Sequence, residues 1–130
     1  MKKTVFLTGS SGTMGFQAFK ELYARRDRFD IVLLNRDSKK AREKFAPYMN
    51  DKSVKFIWGD LTVYEDVLEG LNGADYVLHV GGMVSPAADY FPKKTLYTNV
   101  TAMENIVKAV KAQPDPDAVK VVYIGTVAET

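Results

Sequence analysis

Short apolar runs alternate with stretches of helical periodicity along the whole chain. Thr4-Val5-Phe6-Leu7, Ile31 to Leu34, Val54 to Trp58, Tyr76 to Val80 and Val119 to Ile124 read as strands. The second is uniformly apolar, as a strand covered on both faces should be. Lys55 interrupts the third and suits a sheet edge. Between the strands, Met14, Ala18 and Leu22 recur at helical spacing. A basic helix starts near Ser38 and should end before Pro47. Thr62-Val63-Tyr64-Glu65 reads as a capping box opening a third helix, with Val67, Leu68 and Leu71 as its buried stripe and Asn72-Gly73 as its end. Leu96, Val100, Met103, Val107 and Val110 trace a face of a fourth helix, roughly Thr95 to Ala112, and Gln113 to Asp117 is a turn. Strictly alternating strands and helices predict an α/β domain, a parallel sheet with helices on both faces.

The first strand breaks into Thr8-Gly9-Ser10-Ser11-Gly12-Thr13-Met14-Gly15. Gly9 can take the sharp turn off the strand, where a Cβ would clash. Gly12 leaves room for a backbone to approach a pyrophosphate, and Gly15 lets the helix pack closely on the strand. The amides opening that helix, Ser11 through Thr13 and Met14, converge on one spot that the helix dipole makes favourable for an anion. The spacing is G-x-x-G-x-x-G, a variant of the G-x-G-x-x-G dinucleotide fingerprint. A plain glycine-rich turn is the alternative; the strand before it and the amphipathic helix after it favour the fingerprint. Right-handed crossovers then imply a Rossmann-type doubly wound sheet of order 3-2-1-4-5, truncated after the fifth strand, with residues 1–130 as one NAD(P)-binding domain. The cofactor should cross the carboxyl ends where strands 1 and 4 part.

About 20 residues beyond the last glycine a side chain should meet the adenine ribose. That position is Asn35, followed by Arg36. An acid there accepts from both ribose hydroxyls and repels a 2′-phosphate; Asn35 is neutral, and a guanidinium pairs with phosphate or stacks on adenine. The pair favours NADP over NAD. The alternative is that Arg36 is a solvated loop cation beside Asp37.

With these pieces, and four more in order, the chain resembles the extended short-chain dehydrogenases/reductases, the group of sugar-nucleotide epimerases, dehydratases and related reductases. Gly59-Asp60-Leu61-Thr62 is similar to the motif after the third strand, whose aspartate binds the adenine amino group; the resemblance puts Asp60, with Leu61, in that role. A helix N-cap competing with Thr62 is the plainer reading of Asp60. Val77 to Gly82 is similar to the fourth strand and the small residues under the ribose and nicotinamide, which implies Val80, Gly81 and Gly82 as cofactor contacts. Tyr97 to Asn105 looks like the family's long helix with an internal asparagine, Asn99, beside the cofactor and active site; a surface asparagine is the alternative. Val121 to Thr126 is similar to the fifth strand, which delivers a catalytic serine or threonine, here Thr126. Gly125 and the threonine itself depart mildly from the pattern. The family's Tyr-x-x-x-Lys follows that strand, and no such stretch is present after Thr126. Tyr90-Phe91-Pro92-Lys93-Lys94 matches by accident, since it precedes the asparagine helix and contains Pro92. The chain therefore reads as the first half of a longer protein.

Composition narrows the partners. The chain has 130 residues, 46% of them hydrophobic and 26% charged, as in an ordinary soluble domain. A net charge of +2 gives no reason to expect nucleic acid. No cysteine is present, so neither disulfides nor thiolate metal sites are expected, and no other metal cluster is visible. His79, inside an apolar strand, reads as a satisfied core histidine. Met1-Lys2-Lys3 runs straight into the first strand without a cleavage site, and no apolar stretch reaches membrane-spanning length, so a cytoplasmic protein is expected. Two functions stay open: the nicotinamide-dinucleotide half of an enzyme acting on a nucleotide-sugar or similar small carbonyl substrate, and a dinucleotide-binding or redox-sensing module without turnover. A homodimer is expected in either case, because the fifth strand is apolar on both faces.

Overall fold

The computed structural model describes residues 2–10, 13–80 and 92–124. Its elements in chain order are β1 (Lys3–Thr8), α1 (Thr13–Tyr23), β2 (Phe29–Asn35), α2 (Lys39–Phe45), β3 (Val54–Trp58), α3 (Tyr64–Leu71), β4 (Tyr76–Val80), α4 (Pro92–Lys111) and β5 (Lys120–Ile124). Short 3-10 turns cover Ala46–Tyr48 and Pro116–Ala118. The five strands form one parallel sheet in the order β3-β2-β1-β4-β5. This is the doubly wound order expected from the strand-helix alternation.

Side-chain alternation along the strands builds two cores. Phe6, Val32, Leu34 and Val77 face α3 and α4, where Val67, Leu71, Ile106 and Ala109 meet them. Leu7, Ile31 and Leu33 face the other way, against Phe19 of α1 and Phe45 of α2. Both faces of β1 and β2 are therefore buried, which explains their near-continuous apolar runs. Gly70 lets α3 lie close on β1, since a Cβ there would enter the Phe6 ring. Lys55 is exposed on β3, an edge strand. The other edge is β5, where Val121, Val122 and Tyr123 are 42%, 46% and 45% exposed.

Three local expectations need correction. The capping box does not form: Val63 occupies the N-cap of α3 without a side-chain cap, because the Thr62 hydroxyl donates to Asp60 instead. The side Val100 and Val107 occupy on α4 faces out; the helix buries Ala102, Asn105, Ile106 and Ala109. Ala102 and Ala109 let the helix lie close to α3, and Val110 packs against that core as its spacing implies, while the Leu96 side chain lies outside the described residues. In α1, Ala18 and Leu22 do pack half-buried against the core, beside the fully buried Phe19, and the Met14 side chain lies outside the described residues. The α4 helix also begins earlier than Thr95, at Pro92, a residue suited to a first helical position. The remaining boundaries, including the Gly73 terminus of α3 at a φ of 84°, follow the pattern read from the sequence.

Candidate dinucleotide site

At the carboxyl end of β1 the chain turns through Gly9 at a φ of 73°, a left-handed conformation that glycine tolerates best. A Cβ on Gly9 would collide with the Val80 carbonyl oxygen at the end of β4. A Cβ on Gly15 would collide with the carbonyl of Gly9 itself. The two outer glycines of the motif thus let the strand end, the first turn of α1 and the end of β4 pack together. Ser11, Gly12, Gly81, Gly82, Gly125, Thr126 and Tyr90 lie outside the described residues. Thr13 and Met14 are placed as backbone in the first turn of α1, and Asn99 as backbone within α4.

Buried polar groups underlie this turn. Thr8 Oγ1 and His79 Nδ1 share a hydrogen bond of 2.6 Å between neighbouring strand ends, both residues being buried. Burial pushes the His79 imidazole below its ordinary range, so it is neutral near pH 7 and structural, as its apolar strand suggests. Ser10 is fully buried, and its hydroxyl donates to Asn35 Oδ1 at 2.9 Å. That bond ties the glycine turn to the end of β2.

Asn35 is 5% exposed, and its Nδ2 has no hydrogen-bond partner among the described residues. A buried N–H without an acceptor is costly, on the order of 1–3 kcal/mol. The side chain is thus neutral, with its donor buried, at the place where an acidic residue would carry a negative charge. Next to it, the Arg36 side chain is 65% exposed and its Nε lies 3.7 Å from Asp60 Oδ2. Arg36 does not pair with Asp37 among the recorded contacts; Asp37 is held by both Nε and Nη2 of Arg42, which lowers its pKa.

Asp60 is fixed from several sides. Its Oδ1 accepts from the Thr62 amide at 2.9 Å and the Thr62 hydroxyl at 2.8 Å, an Asx turn rather than a helix cap. The Thr62 amide, then its hydroxyl and the Arg36 charge, outweigh burial and hold the carboxyl below the usual carboxylate range. The Asp60 amide donates to Asp66 Oδ2, and the Gly59 amide donates to the Asn35 carbonyl at 2.8 Å. Leu61 rests half-buried against the core, and its carbonyl accepts from Asn105 Nδ2 at 2.8 Å. One rim therefore joins Gly9, Gly15, Asn35, Arg36, Asp60 and Leu61, with Val80 behind the turn. Sequence reasoning passed over Ser10 and Asn105. A polar residue between glycines, and a second asparagine one helix face away from Asn99, were the available signals.

Residues 5–130 match the profile of the NAD dependent epimerase/dehydratase family. The chain belongs to that family. It is 32% identical over 111 residues to a UDP-glucose 4-epimerase of Rickettsia canadensis, an alignment covering 82% of this chain and 32% of the relative. The UDP-glucose 4-epimerase of Rickettsia felis is 31% identical over the same coverage. The chain thus spans about a third of the length of these curated relatives. Among solved structures, Pen from Bacillus thuringiensis superposes with a TM-score of 0.79 at 24% identity, over 94% of this chain and 37% of that one. A dTDP-glucose 4,6-dehydratase from Streptomyces venezuelae, DesIV, solved as a double mutant with NAD and DAU bound, gives 0.71 at 21% identity, over 83% and 36%. At these identities the structural likenesses speak to the fold alone. Among the described residues no helix is long and apolar enough to cross a membrane, and no acidic, histidine or cysteine group is arranged to hold a metal.

Proposed function

We propose that this chain is the nicotinamide-dinucleotide-binding part of an epimerase, dehydratase or reductase acting on a nucleotide-sugar or similar small substrate, and that it prefers NADP to NAD. The family membership supports the cofactor class, and the UDP-glucose 4-epimerases among its relatives support the substrate class. The observation that carries the NADP preference is the exposed Arg36 guanidinium beside a neutral Asn35. A 2′-phosphate would pair with the guanidinium and meet no carboxylate at position 35 to repel it, whereas the ribose hydroxyl of NAD offers Arg36 no charge. Asp60 accepts from the adenine amino group in this reading, and the glycine turn holds the pyrophosphate with Ser11, Gly12, Thr13, Met14 and Gly15. Val80, Gly81 and Gly82 pass beneath the ribose and nicotinamide, with Asn99 behind them.

The nicotinamide, when bound, supplies a hydride acceptor or donor. By the family resemblance, Thr126 would donate a hydrogen bond to the substrate oxygen, and the proton transfer would fall to the family's Tyr-x-x-x-Lys pair. Calorimetric titration with NADP and NAD tests the proposal. NADP should bind about tenfold tighter, and Arg36→Ala should remove most of that margin, since a charge-assisted bond contributes about 1.5–3 kcal/mol. Equal affinities, or an unchanged ratio in Arg36→Ala, would overturn the preference; no binding of either would overturn the cofactor reading.

A further inference from the structure

Asn105 is a buried polar residue in the middle of a long helix, 8% exposed. Such a side chain is costly unless it is hydrogen-bonded. Its amide reaches across 44 residues of sequence to the Leu61 carbonyl at 2.8 Å. Leu61 follows Asp60 directly, and its own side chain is held against the α3–α4 core. The Asp60 carboxylate is meanwhile oriented by Thr62, on the other side of Leu61. The peptide between Leu61 and Thr62 is therefore gripped at its carbonyl by α4 and at its amide by Asp60.

We propose that Asn105 is a positioning residue for adenine recognition. By holding the Leu61 carbonyl it fixes the Asx turn that presents Asp60 to the 6-amino group of the adenine. The inference rests on the reading of this rim as a dinucleotide site. Without the donor, the Leu61 carbonyl loses its partner and the 60–62 turn is free to rotate, so that Asp60 spends less time in the accepting orientation. Gly9 and Gly15 are packed by the ends of β1 and β4 and keep those contacts. Arg36, which pairs with Asp60, would meet the same 2′-phosphate in NADP and in its hypoxanthine analogue, so that any change in its pairing moves both affinities together.

Titrating the full chain with NADP, and with the analogue carrying hypoxanthine in place of adenine, separates this role from a general structural one. The unsubstituted chain should favour NADP over the analogue by about tenfold, the worth of one buried hydrogen bond to a charged group. Asn105→Leu should weaken NADP by a similar factor and leave the analogue within about twofold, so that the preference collapses. An intact preference in Asn105→Leu, or equal weakening of both ligands, would overturn the proposal. Asn105→Asp, which keeps the shape and loses the donor, answers the same question if the leucine variant does not fold. Failure of the unsubstituted chain to bind either ligand would instead overturn the dinucleotide reading. Binding of both without preference would overturn the Asp60 contact on which Asn105 is argued to act.

Discussion

Asn35 is the residue at which the proposed NADP preference is most sharply testable. Its oxygen accepts from Ser10, and its amide nitrogen is buried without a partner among the described residues, so the end of β2 carries no charge at this position. Asn35→Asp keeps the Ser10 bond and turns that donor into a charged acceptor. The NADP:NAD affinity ratio should fall by about tenfold or more in that variant, chiefly by weaker NADP binding, and paired titrations would show it. Gly9 makes a steric demand of similar sharpness. Gly9→Ala places a methyl against the Val80 carbonyl at a backbone angle that L-residues adopt reluctantly. A loss of about 1–3 kcal/mol in urea-unfolding stability is expected, with weaker dinucleotide binding. The position and geometry of Gly9 were legible from the sequence, because strand, turn and helix have distinct patterns. The unmet donor on Asn35 was not. It depends on which atom Ser10 occupies, and no spacing rule contains that.

At the level of elements, the strands were the most readable parts. β1 and β2 have near-continuous apolar runs because helices cover both their faces, and the flanking runs were distinct enough for β3 and β4 to be placed at their observed bounds. Helix ends and faces were harder. Thr62 has the residue type of an N-cap, yet Asp60 two residues earlier competes for its hydroxyl and wins. In α4, Val100 and Val107 point outward among Glu104, Lys108 and Lys111, while Ala102, Asn105, Ile106 and Ala109 are buried with Val110 packed beside them. Hydrophobic periodicity cannot distinguish a face buried within the chain from one kept for another surface. The β1–β4 junction carries a pH dependence of its own. His79 is held neutral by burial, so below its unfolded value near 6.5 the unfolded chain takes up a proton that the folded chain resists. Stability should therefore decline as pH falls from about 6.5 until the lower folded-state value is passed. Urea midpoints at a series of pH values would register the decline, and His79→Gln should flatten it over that window. An unchanged midpoint between pH 7 and 5 would contradict the burial argument, once the contribution of carboxylates has been matched in the variant.

At the scale of the whole molecule, two of the surfaces formed by the described residues expose large apolar side chains, namely the outer side of α4, with Val100 and Val107 each 45% exposed, and the β5 edge. We expect the chain to self-associate through one of them. Sedimentation at micromolar concentration should show a concentration-dependent dimer, and Val107→Lys should shift it towards monomer if α4 is the contact. A monomer at every concentration would refute self-association. No turnover is expected from residues 1–130 with any sugar nucleotide, since no Tyr-x-x-x-Lys stretch lies after the fifth strand within these residues. The central proposal is that a nicotinamide dinucleotide lies across the carboxyl ends of β3, β2, β1 and β4, crossing where β1 and β4 part. Amide chemical shifts of the isotopically labelled chain, followed as NADP is added, test it most directly. The account predicts saturable shifts concentrated at Gly9, Ser10, Gly15, Asn35, Arg36, Asp60 and Leu61. Shifts confined to α4 or β5, or no saturable change at all, would contradict it.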